Sequence, residues 1–173
     1  SRSFAKEAET VEDELQPPLR SIAWWPAIFV VAQILLGSAY RHGMMGVMPH
    51  LSLAFVTAGA LAFLAILVAT TYPTHRPLKR VAFTVVWFIL AQIVLGLIAL
   101  FYRVQAASAD AANAPAAWLA LFTVSHVVLG SFTLAATVWM AIEIRKYVRP
   151  GLPAALDSRG QADATAKLET GLN

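Results

Sequence analysis

"AQILLGSAYRHGMMGVMPHLSLAFVTAGA", residues 32–60, joins two uninterrupted apolar runs through a short turn of glycine and methionine. No charge interrupts Ile22–Tyr40 before the turn or Leu51–Tyr72 after it. Each run reaches the roughly 20 residues that a helix needs to cross a bilayer core. Gly43, Gly46 and Pro49 prevent a single helix from running through, so the stretch reads as a hairpin of two membrane-spanning helices. Two further runs of the same kind follow, Val81–Tyr102 and Ala116–Ile142. All four tyrosines, with Trp24, Trp25 and Trp118, sit at run ends, where amphipathic rings favour the membrane interface. The first run lies too far along the chain, and is too aromatic at its start, for a cleaved signal peptide. The expected fold is an all-α integral membrane protein, a bundle of four transmembrane helices.

Composition agrees. Of 173 residues 58% are hydrophobic and 13% charged, with a mean hydropathy of +0.64. Eleven of the thirteen basic residues fall before the first run, between the second and third, or after the fourth. Only Arg41 and Arg103 lie on the opposite side. The positive-inside rule therefore places both termini and the "THRPLKR" loop in the cytoplasm, as expected for a multi-pass protein of a bacterial-type inner membrane. The pI near 9.5 reports this topology. It does not report nucleic-acid binding, because the basic residues are divided among three pieces without stacking aromatics between them. Residues 1–20 and 148–173 read as solvated cytoplasmic tails flanking a membrane domain over 21–147. The chain has no cysteine, which excludes disulfides and thiolate metal sites.

The hairpin is used twice. "AQILLG" (residues 32–37) returns as "AQIVLG" (91–96), and "HLSLAFVTAGA" from His50 returns as "HVVLGSFTLAA" from His126. Aligned on the histidines, Leu53 matches Leu129, Ala54 matches Gly130 and Thr57 matches Thr133. Both copies start on the same side, so a pseudo-twofold axis along the membrane normal is expected between them. That axis places His50 and His126 at equivalent depths on opposite sides of the bundle centre.

Two neutral imidazoles facing each other in a dry bundle are an arrangement that six-coordinate heme iron accepts. The residues one and two turns after each histidine are slim: Ala54 and Thr57 after His50, Gly130 and Thr133 after His126. A flat porphyrin between helices needs such a stripe, though close helix packing uses small residues too. For one histidine alone, a hydrogen bond across helices and metal ligation stay equally open. The repeated pair favours ligation, since two unpartnered rings in hydrocarbon would each cost a few kcal/mol. Zinc fits less well, because it wants three or four ligands and no acid or cysteine lies near. Arg41 and Arg103, at outer helix ends, either pair with heme propionates or mark the interface. His42 reads as interfacial, and His75, in the basic inner loop, as solvated. Gln33 and Gln92 are expected to hydrogen-bond between helices.

"QILLGSAYRHG" followed by "PHLSLAF", then "AQIVLG" followed by "VSHVVLGSF", resembles the heme A synthase family, also called the cytochrome oxidase assembly family. Members have eight helices in two four-helix halves, each half with one histidine on its second helix and one on its fourth. The resemblance covers residues 22–146, one half only, and implies that His50 and His126 are the axial ligands of a heme. In the family's catalytic half a glutamate lies three residues before the first histidine; here that position is Val47, and neither outer loop holds a glutamate. Many members also carry an outer-loop cysteine pair, which this chain lacks. It therefore resembles the half that holds heme b.

Three readings of function follow. One is a bis-histidine membrane heme b protein in electron transfer or in cytochrome oxidase and heme A assembly. Another is a half-size heme A synthase-type oxidoreductase, oxidising heme O to heme A as a homodimer. A third is a structural subunit of a respiratory oxidase or cytochrome complex.

Overall fold

The computed structural model describes residues 10–13, 15–108 and 116–150. Four helices dominate: α2 (Trp25–Arg41), α3 (Val47–Thr71), α4 (Arg76–Ser108) and α5 (Ala116–Tyr147), preceded by a single turn, α1 (Leu19–Ile22). With α1 counted into the first span, all four are long and apolar enough to cross a membrane. The all-α architecture of a multi-pass membrane protein is thus as the sequence indicated. The outward faces are apolar too, with Phe55 74% and Trp87 69% exposed. Lipid rather than water suits such a surface.

Backbone chemistry sets the boundaries. Pro26 sits in the first turn of α2, where a missing N–H costs nothing. At its far end Gly43 adopts φ +71°, while the amides of Gly43 and Met44 bond to the carbonyls of Tyr40 and Ala39. This is a Schellman stop, which needs a residue free to enter the left-handed region. Gly46 then caps α3. Helix α4 begins at Arg76, earlier than the apolar run at Val81, because its basic first turn is helical beyond the apolar segment.

Extensive contacts run α2–α3, α3–α4, α4–α5 and back from α5 to α2, so α3 and α5 face each other diagonally. The buried core is concentrated toward the end that carries both termini. Leu61, Leu64, Val68, Leu78, Val85, Met140 and Ile144 are each at most 2% exposed. Toward the opposite, distal end no residue of 31–41, 47–56, 90–108 or 116–129 is buried. The bundle is close-packed over one half of its length and open over the other.

The segments that adjoin the bundle depart from the expected solvated tails. β1 (Val11–Asp13) pairs in parallel with β2 (Val148–Pro150), Val11 opposite Val148. Asp13 is buried, and its carboxylate accepts the amides of Leu15 at 3.2 Å and Leu19 at 2.6 Å. The strap forms because Asp13 supplies a cap for α1 while Val148, fully buried, extends the core past the end of α5. The remainder of both expected tails lies outside the described residues.

His75 is a second departure. Only 8% exposed, its ring lies 4.7 Å from that of Tyr147, and its Nδ1 accepts the Leu78 amide at 3.4 Å. It caps α4 beneath the end of α5 instead of facing solvent.

Candidate functional site

Gln33 and Gly37 are four residues apart on α2, and Gln92 and Gly96 four apart on α4, so each pair lies on one helix face. Each pair meets the histidine of the next helix. Gln33 Nε2 donates to the backbone carbonyl of His50 at 2.9 Å, and Gln92 Nε2 donates to that of His126 at 3.0 Å. A methyl group built on Gly37 would lie 2.9 Å from His50 Cε1 and 3.3 Å from Nδ1. On Gly96 the distances to the same atoms of His126 are again 2.9 and 3.3 Å. Each imidazole therefore rests on bare glycine backbone, with a glutamine one turn below holding its main chain. The expected interhelical bonds of both glutamines are present, and the contacts recur in both hairpins.

His50 and His126 stand on α3 and α5, the diagonal helices. Both are half-buried, in the half of the bundle without a close-packed core. The stripe below them is slim and turns inward. Gly130, Thr57 and Thr133 are buried and Ala54 half-buried. Gly130 is needed at its position, since a methyl there would lie 3.2 Å from Gln92 Nε2.

Polar atoms in this layer lack partners. Gln33 Oε1, Gln92 Oε1, Thr57 Oγ1 and His126 Nδ1 are buried without a hydrogen bond. An unmet buried group costs about 1–3 kcal/mol, so four in one layer ask for an explanation. Thr133, by contrast, is satisfied by donating to the Leu129 carbonyl at 2.9 Å. Around His50 the Gln33 amide nitrogen also sits 3.1 Å from Nδ1 and 3.4 Å from Nε2, so the tautomer of that ring follows the orientation of this amide.

The other candidates are scattered. Arg103 is half-buried, its guanidinium 4.8 Å from the centre of the Tyr40 ring, and it links α4 to α2 across the distal end. Arg41 and His42 are exposed where α2 ends. Among the described residues no three or more His, Cys, Asp or Glu side chains converge as a metal-binding group, so nothing there forms a zinc cage. Two apolar grooves open elsewhere, one beside Trp25 and Phe63 and one beside Ile28 and Leu134, and neither is lined by a histidine.

Sequence reasoning passed over Gly37 and Gly96 as seats for the imidazoles. The signal was present in the twice-used Gln-x-x-x-Gly spacing, read only as a mark of repetition.

Fold and site together define a multi-pass α-helical membrane protein with matched Gln–Gly–His units on diagonal helices. Compared with protein-family models, curated proteins and solved structures, the chain matches none.

Proposed function

We propose that the chain is a membrane heme b protein in which His50 and His126 supply the two axial ligands, serving electron transfer or the assembly of cytochrome oxidase. One observation supports this reading: two imidazoles, each seated on a glycine of the neighbouring helix, stand at matching places of the two hairpins beside buried polar atoms without partners.

The donor set suits the group. Iron with two imidazoles needs two neutral rings and no acid, and no Asp or Glu occurs between Glu14 and Asp110. When bound, a heme held by both imidazoles would supply one-electron exchange. The chain's own residues hold the rings. Gln33 and Gln92 fix the main chain at each histidine, and Gly37 and Gly96 set how far each ring stands from its neighbouring helix. A ring that ligates through Nε2 carries its proton on Nδ1 and needs an acceptor for it. Ala54 and Gly130 leave width between helices, while Arg41 and Arg103 offer cations to carboxylates at the distal end. In this reading the distal end faces away from the cytoplasm, with both termini inside.

The test is a dithionite-reduced minus oxidised spectrum of the full chain purified in detergent, with pyridine hemochrome quantification. A low-spin b-type signal near one heme per chain, lost in His50→Ala and in His126→Ala, is expected. A wild-type protein that neither purifies with heme nor takes up added hemin would overturn the assignment.

A further inference from the structure

The turn between α2 and α3 holds a second group of ligand-type side chains, separate from the layer of His50 and His126. Three of the four methionines of the chain, Met44, Met45 and Met48, fall within five residues, and His42 stands two positions before them. The fourth, Met140, is fully buried and serves the core. The turn methionines are placed differently: Met44 is 78% and Met48 66% exposed, Met45 half-buried and His42 exposed. Tyr40 already supplies the interfacial aromatic at this helix end, so the methionines are not needed as the anchor. Between Arg41 and Pro49 there is no Trp, Tyr, Phe, Leu or Ile.

The backbone under these side chains is fixed on both sides. The Schellman stop pins Met44 through its amide bond to the Ala39 carbonyl at 2.9 Å, and Gly46 starts α3 so that Met48 lies in its first turn. Thioethers on three rotatable bonds can then swing onto one point above the turn. Three neutral, soft sulfur donors and one imidazole, with no carboxylate among the described residues of the distal end, offer little to a hard divalent cation.

We propose that this turn is a soft-metal site that takes one Cu(I) ion on the thioethers of Met44, Met45 and Met48 with the imidazole of His42. The site does not depend on the heme reading. Thioethers do not titrate, so the sulfur part of the site persists in acid.

The experiment is competition for Cu(I), kept reduced with ascorbate, between the detergent-purified full chain and a chromophoric bicinchoninate complex. Wild type and a His50→Ala/His126→Ala double variant should each withdraw one equivalent of copper. The triple variant Met44→Leu/Met45→Leu/Met48→Leu, which keeps apolar bulk and helix propensity, should withdraw none. Single replacement of exposed Met44 or Met48, or His42→Ala, should weaken binding by roughly tenfold or more. Those single variants stand in for the triple one if its helical circular dichroism is lost. No withdrawal by wild type, or equal withdrawal by wild type and the leucine variants, overturns the proposal.

Discussion

Replacing Gly37 by alanine tests the seat of His50 directly. The new methyl would stand 2.9 Å from Cε1, whereas carbon atoms in contact prefer about 3.5–4.0 Å. The ring must therefore retreat by roughly 0.6 Å or more, or the two helices must part by as much. Retreat stretches the 3.1 Å approach of Gln33 to Nδ1 toward loss. Overpacking costs about 1–3 kcal/mol and a lost hydrogen bond about 0.5–1.5 kcal/mol. Against this, alanine favours the helix over glycine by about 0.5–1 kcal/mol. The net expectation is a loss of about 2 kcal/mol, a melting temperature lower by roughly 4–8 °C. Gly96→Ala should lose the packing part of this, about 1 kcal/mol net, because the methyl contact with His126 is the same but His126 Nδ1 has no hydrogen bond to lose. Gly59→Ala, with nothing within 4 Å of the added methyl, should be neutral or slightly stabilising and serves as control. Thermal melts followed by fluorescence-detected size exclusion in detergent compare the three. Gly37→Ala or Gly96→Ala melting at or above Gly59→Ala would refute the packing argument. If the imidazoles hold heme, the first two variants also lose pigment and the control keeps it.

Asp13→Ala should remove the cap on α1 and cost about 0.5–2 kcal/mol, with faster amide exchange at residues 11–13 and 148–150; unchanged exchange there would show that the strap does not depend on the carboxylate. Met140→Ala, in the closed half, should cost about 2–5 kcal/mol through the cavity it leaves. Leu95→Ala, half-buried in the open half, should cost no more than about 1.5 kcal/mol in the same melts, and equal losses at the two positions would contradict the packing difference between the halves.

The long helices and the interhelical bonding of Gln33 and Gln92 were legible because both rest on local pattern. Apolar runs of membrane length need no tertiary knowledge, and Gln33, Gly37 and His50 are separated by only a few residues and a tight turn. The burial of His75 was not legible. It comes from Tyr147, more than seventy residues later, folding over a loop whose Arg76, Lys79 and Arg80 read as solvent-facing. The β1–β2 strap was hidden for the same reason, since its partners stand at opposite ends of the chain and the acidic run around Asp13 has the composition of a tail. Helix length was underestimated in α4 because apolarity ends before helicity does. The missing core in the distal half has no counterpart in composition. Leu95, Leu119 and Leu129 look like core residues in sequence, and only the geometry of the bundle leaves them half-buried.

That division assigns different work to the two halves. In the closed half, Leu64, Val85, Met140 and Ile144 fill the interior; there Asp13 is held by amides and the Thr137 hydroxyl by the Thr133 carbonyl at 2.7 Å, while Arg20 Nε and Trp24 Nε1 are buried without a hydrogen bond. The distal half lacks fully buried side chains and holds Gln33 Oε1, Gln92 Oε1 and His126 Nδ1 buried without partners. In a membrane no water enters freely to satisfy them, so a helix bundle under selection for stability alone would fill that layer with Leu and Ala. Keeping a glutamine, a glycine and a histidine at the same places in both hairpins costs stability twice. If both imidazoles hold a bound group, as proposed, that group offsets the cost at both places at once.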